Sequence, residues 1–204
     1  MTELFISALI TFFVVIDPPG CAPIFASLTT GATPPERRSQ AIRAVVIATA
    51  ILLFFALLGE DLLRALGISL DAFRIAGGIM LFLIAFDMVF ERRTQRREDR
   101  AQKLIGTPEV EDVSAFPMAI PMIAGPGTIA AVMLLGARSS GIEESLVVLA
   151  ALGCILLLTL IALLAAGPRM RVLGQRIEAV VTRLLGVVLA ALAAQFVING
   201  LIGA

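Results

Sequence analysis

The chain has 204 residues, 59% of them apolar, a mean hydropathy of +0.99, and 16 basic residues against 16 acidic ones. Soluble domains carry roughly 45–50% apolar residues, so the composition points to a membrane protein, and the balanced charge argues against nucleic acid as a partner. Histidine is absent, which excludes His-based metal sites, His proton relays and Ser-His catalysis.

The first predicted span, Leu4–Thr30, is interrupted at Asp17-Pro18-Pro19-Gly20, with Pro23 close behind. Proline removes a backbone donor and clashes with the carbonyl one turn back, and the residue before it is pushed out of helical geometry. Leu4–Ile16 alone reaches only about 20 Å as a helix, short of the ~30 Å hydrocarbon core. The break, and Asp17 with it, is therefore expected inside the membrane. The segment has no basic leader region, since Glu3 is its only early charge, and no small-residue cleavage site follows. It reads as a retained span and not a signal peptide.

Thr33-Pro34-Pro35-Glu36 has the form of a helix start, ahead of span 2 at about Ala44–Leu58. Gly59-Glu60-Asp61 and Arg64 to Ser69 form a polar connection to span 3, about Asp71–Phe90, which carries Arg74, Gly77-Gly78 and Asp87. The hydrophilic stretch Glu91–Ser114 follows, basic first and acidic towards Asp112, and reads as a solvated segment at the lipid headgroups. Span 4, about Phe116–Ala137, repeats the opening anomaly, with Pro121 and Ala124-Gly125-Pro126-Gly127-Thr128 between two short apolar runs, each expected as a half-helix. Span 5 is about Leu146–Ala166, ended by Gly167-Pro168, and span 6 is about Ile177–Leu201, with Gln195 and Asn199 late in it.

Six spans divide as 1–90, a connecting segment 91–114, and 115–204. Pro19-Gly20 aligns with Pro126-Gly127 at an offset of 107, and Arg74-Ile75-Ala76-Gly77 aligns with Arg183-Leu184-Leu185-Gly186 at 109. Nearly equal offsets predict a 3+3 duplication, and three spans per unit require the second unit to be inverted. The expected fold is all-α, with discontinuous helices 1 and 4. Thirteen of the 16 Lys/Arg fall in the 1–2, 3–4 and 5–6 connections and their flanks. This excess predicts a cytoplasmic location for those connections and a non-cytoplasmic one for both termini.

Paired breaks in an inverted repeat mark a transporter site near the midplane. The half-helices beginning near Cys21 and Thr128 would each present amides and a positive dipole end to an anion. The expected substrate contacts are Asp17, Pro19, Gly20, Cys21, Ala22, Gly125, Gly127, Thr128 and Ile129. Asp17 reads two ways: as a contact for an ammonium group, proton or sodium ion, or as a cap for its own half-helix. Both roles can hold together. Asp87 reads first as a residue that snorkels or pairs with an arginine, and Gln195 and Asn199 as interhelical hydrogen-bonders, with ligand contact as the second reading of each. Cys21 and Cys154 have neither CxxC nor metal-ligand spacing. No cofactor and no metal is expected. With no zinc-ligand cluster and no Ser/Lys pair within a span, an enzyme is disfavoured. The partners implied are the bilayer, a small zwitterionic or anionic substrate, a coupling proton or sodium ion, and a further copy of the chain.

The segments from Asp17 to Thr29 and from Ala119 to Ala130 resemble the two signature stretches of the MarC family. The resemblance covers essentially the whole chain. It implies a six-span inner-membrane protein, in a family also grouped with transporters of small neutral amino acids such as glycine and alanine. The alternatives are an exporter or channel for another small solute, or a membrane enzyme.

Overall fold

A computed structural model of the chain describes residues 1–90, 112–137, 139, 141–166 and 170–203, with side chains described outside 170–181. Among the described residues every regular element is helical: α1 (Thr2–Ile16), α2 (Pro18–Leu28), α3 (Pro34–Ala65), α4 (Leu70–Val89), α5 (Ser114–Ile123), α6 (Pro126–Gly136), α7 (Ile142–Ala165) and α8 (Met170–Gly203). Five stretches are long and apolar enough to cross a membrane, with α1 and α2 counted together as Thr2–Leu28; α5 with α6, bent by 52°, makes a sixth.

The helix boundaries follow local chemistry. Thr33 opens α3 and its amide donates to Glu36 Oε2 at 2.7 Å, one arm of a capping box. At the other end Gly67 takes φ 69°, and the Ile68 amide reaches back to the Leu63 carbonyl at 2.9 Å. That is a Schellman closure, which glycine adopts without a side-chain clash. Between these stops α3 runs unbroken for 32 residues. The expected span 2 is shorter because Gly59-Glu60-Asp61 has the composition of a connection. A helix of about 48 Å overshoots the bilayer, and its polar ends need no break.

The half before Gly125 departs further from expectation. It is not a regular half-helix: the amides of Met118 and Ala124 reach five residues back, to Val113 and Ala119, and Phe116 and Ile120 are extended. Each precedes a proline, Pro117 or Pro121, whose ring disfavours helical geometry in the residue before it. Two prolines four apart thus turn a helical run into a wound, irregular one.

The helices pack around a core that includes Phe12, Ile16, Phe25, Leu52, Leu81, Met118, Leu134 and Leu152. α1 and α2 lie along α7, α3 lies along α5, α6 and α7, α4 touches α6, and α8 touches α2. The broadest contact is α4 with α8. A side chain on Gly78 would strike Ala193 and Val197, one on Gly186 would strike Ala85, Met88 and Val89, and one on Gly200 would strike Asp71, Arg74 and Ile75. Positions rise along α4 as they fall along α8, so the pair is antiparallel and glycines on both helices set its closeness. Apolar residues such as Phe54, Leu57, Phe82, Leu157, Ile161 and Leu184 face outwards, as a hydrocarbon solvent requires.

Candidate functional site: two helix breaks in the protein interior

The first break is a single residue. Asp17 lies in the left-handed region, φ 58° and ψ 65°, and belongs to both helices it separates. Its amide donates to the Phe13 carbonyl at 2.9 Å, closing α1. Its Oδ1 accepts the Gly20 amide at 3.2 Å, and its carbonyl accepts the Cys21 amide at 3.0 Å, opening α2. Asp17 is buried, with 3% of its surface exposed. The expectation of a cap is therefore met. It also changes what α2 offers: Pro18 and Pro19 carry no amide hydrogen, and the next two amides are spent on Asp17. The Cys21 thiol lies 3.5 Å from the Ile16 carbonyl, which the break leaves without a helical amide. Pro23 lacks the amide that would bond the Pro19 carbonyl, and Pro19 is exposed while Gly20, Cys21 and Ala22 are buried.

The second break differs. Gly125 precedes α6, Pro126 occupies its first position, and no side chain caps its amides. The Ile129 amide bonds the Gly125 carbonyl at 3.0 Å, so Gly127 and Thr128 hold the amides at the positive helix end. Thr128 is buried, with 2% exposed. Pro126 is exposed like Pro19, its counterpart at an offset of 107.

The two breaks are neighbours. A β-carbon on Gly127 would lie 3.6 Å from Val15 Cγ1, two residues before Asp17, and would collide with Ile84 of α4. The glycines here are filled by the protein itself: Gly20 by the Asp17 carboxylate, Gly125 by the Pro121 carbonyl and Gly127 by Ile84. Asp87 is half-buried one turn beyond Ile84. Gln195 is exposed, outside the buried residues of both breaks, and its Nε2 donates to Asn199 Oδ1 at 2.7 Å along α8.

Two cavities lie at opposite ends of α3. One, of about 760 Å³, is lined by residues of the α2 end, the α3 start and Asp112. The other, of about 270 Å³, is lined by Glu60, Met133, Ser139 and Ser145 among others.

A profile described as MarC family integral membrane protein matches residues 2–204. The chain belongs to the MarC family. The UPF0056 membrane protein MJ1677 of Methanocaldococcus jannaschii is 39% identical over 99% of this chain and 98% of its own length. YvbG, a UPF0056 membrane protein of Bacillus subtilis, is 34% identical over 100% and 96%. YhgN, a UPF0056 inner membrane protein of Escherichia coli, is 33% identical over 98% and 97%. No solved structure matches. The fold described above is thus that of an integral membrane protein of the MarC family.

Three features of this MarC-family chain lie outside what its sequence led one to expect. One is Ile84, which seals Gly127 from another helix. Another is the break at Phe116, whose signal, Pro117, was in plain view. The third is the ion pair of Arg43 with Asp112, N···O 2.8 Å, which joins segments too far apart in sequence for any local pattern to reveal it. The segment 91–111, expected at the headgroups, and Gly167-Pro168, the expected end of span 5, lie outside the described residues.

Proposed function

We infer that this MarC-family chain is a secondary carrier of small neutral amino acids, glycine- or alanine-like, working by alternating access. The observation that carries the reading is the meeting of the two breaks in the interior, through Val15 and Gly127. Interrupted helices meeting inside a membrane domain are how carriers build a polar site without exposing loose backbone to lipid.

The neighbour pattern supports a duplicated, inverted unit. α1 and α2 lie on α7 as α5 and α6 lie on α3; α8 touches α2 as α4 touches α6; and the third long helices, α4 and α8, pair antiparallel. In this reading the substrate carboxylate rests on the Gly127 and Thr128 amides, where the helix dipole favours an anion. Its ammonium meets the Asp17 carboxylate or the Pro19 carbonyl. Asp17 is also the candidate for coupling to a proton or sodium ion. In this reading the cavities at the two ends of α3 are the approaches from the two sides, and the excess of basic residues in the connections supports a cytoplasmic side for the larger one.

Uptake of labelled glycine and alanine into proteoliposomes tests this. Saturable uptake, driven by a proton or sodium gradient, is the expected result. Absence of flux in either direction under every gradient rejects the carrier. Non-saturating, ion-selective conductance would make the protein a channel instead.

A further inference from the structure

The larger cavity touches neither break, and its lining is assembled from three separate segments. Thr29 and Thr30 come from the end of α2, Glu36, Ser39 and Arg43 from the start of α3, and Asp112 from the approach to α5. Its volume, about 760 Å³, falls within the range of small-molecule sites, about 300–1,000 Å³. Arg43 is the cation among these lining residues, and Asp112 holds it at 2.8 Å. Asp112 Oδ1 also accepts the Ser114 amide at 2.9 Å, so the carboxylate that pairs with α3 also orders the entrance to α5. Glu36 is engaged by the Thr33 amide. The Thr29 and Thr30 hydroxyls donate to the Phe25 and Ser27 carbonyls at 2.7 and 2.8 Å, and a hydroxyl that donates keeps lone pairs for a further donor.

We propose that this cavity is a binding site for a small zwitterion, which inserts into the ion pair with its carboxylate on Arg43 and its ammonium on Asp112. The proposal rests on the carrier reading, for it makes the cavity the station at which the solute waits before reaching the breaks. Three considerations select the ligand. The Arg43 and Asp112 side chains are 56% and 43% exposed, and ion pairs so exposed contribute little, so opening this one costs little. A zwitterion gives each separated charge an opposite partner, whereas a plain anion strands Asp112 and a plain cation strands Arg43. The guanidinium fork also suits a carboxylate held by two parallel hydrogen bonds. Because Asp112 leads directly into α5, occupancy loosens the hold of α3 on the segment that ends at Gly125.

The test uses the full chain with Cys154→Ala, the buried Cys21 being left in place, and a thiol introduced by Ser39→Cys as a local reporter. The rate of its reaction with a water-soluble maleimide is measured in detergent. Glycine or alanine should slow the reaction about tenfold at roughly ten times the dissociation constant, by mass action, and acetate or methylammonium should not. Arg43→Gln and Asp112→Asn should each abolish the protection, and the exchanged pair Arg43→Asp with Asp112→Arg should restore it. Thr30→Cys serves as a second reporter if the first variant does not fold. Equal protection by acetate, protection that survives Arg43→Gln, or no protection at all overturns the proposal. Flux measured in parallel separates the two readings: flux without protection sinks this site alone, and protection without flux sinks its role as a station of a carrier.

Discussion

Asp17 Oδ1 lies 3.2 Å from the amide nitrogen of Gly20, three residues along the chain. Through this contact and its left-handed backbone, one buried residue ends α1 and begins α2. A carboxylate within an apolar span costs on the order of 2.5–3.5 kcal/mol on insertion scales. The capping bond recovers part of that cost. The carrier reading would add a second demand, contact with substrate or ion, to the same side chain.

Substitution separates them. Asparagine tolerates the left-handed region and keeps an oxygen for the Gly20 amide, so Asp17→Asn should melt within a few tenths of a kcal/mol of wild type. Asp17→Ala loses the cap, worth about 1 kcal/mol, and adds a left-handed penalty of about 1–2 kcal/mol. Thermal unfolding in detergent reads the order. If Asp17 also contacts substrate or coupling ion, Asp17→Asn should lose uptake despite its near-normal stability. Unchanged, still ion-driven uptake would confine Asp17 to the cap.

The seal over the second break can be tested by compensation. A methyl on Gly127 would collide with Ile84 Cδ1, the atom that Ile84→Val removes. Gly127→Ala should destabilise by about 1–3 kcal/mol through overpacking, and Ile84→Val alone by about 0.5–1.5 kcal/mol. The double variant should be more stable than Gly127→Ala alone, a coupling that residues in contact show and distant ones do not. Additive losses in a double-mutant cycle would mean that α4 does not seat on the break.

How much of this was legible beforehand depended on the range of the forces. The stop at Ile16 is legible because prolines act within one turn, but α2 begins at Pro18 and not near Cys21, since proline fits the first turn of a helix. The irregular α5 is legible on the same grounds, but the expected half-helix takes account of Pro121 and not of Pro117, which lies within an apolar run. α3 outruns its expected span because Gly59, Glu60 and Asp61 look like a boundary, while the true stop is the left-handed Gly67. Ile84 against Gly127, and Arg43 against Asp112, are contacts between distant segments, which a local pattern does not encode.

Glycines that look alike in the sequence should differ in cost. The nearest atoms to a β-carbon on Gly59 all belong to the Met133 side chain, whereas one on Gly78 would lie 2.9 Å from the Ala193 carbonyl oxygen and 3.0 Å from the Val197 amide nitrogen. A methionine can change rotamer to make room, but backbone in a packed helix pair cannot. Gly59→Ala should therefore be tolerated, and even gain up to about 1 kcal/mol of helix propensity. Gly78→Ala should separate α4 from α8 and lower the melting temperature and the yield of folded protein. Equal tolerance of the two would contradict the close α4–α8 contact.

The Arg43–Asp112 pair should be indifferent to pH over the working range and fail only in acid. Hydrogen bonding from the Ser114 side chain lowers the Asp112 carboxyl below its ordinary value of 3.8; desolvation opposes it, and the Ser114 backbone and Arg43 add to the lowering. A carboxyl depressed in the folded state contributes its full stabilisation above its ordinary value and loses it as pH falls through the depressed one. Arg43 stays charged throughout, and Glu36 shares the cavity lining. The difference in melting temperature between wild type and Asp112→Asn should therefore be flat from about pH 5 to 8 and vanish in stronger acid. Both side chains of the pair are more than 40% exposed, so solvent screening keeps the difference below about 1 kcal/mol and added salt should shrink it further. A difference that grew as pH rose from 6 to 8 would point to some other titrating group, and a proton taken up during transport near neutral pH would have to bind elsewhere than Asp112.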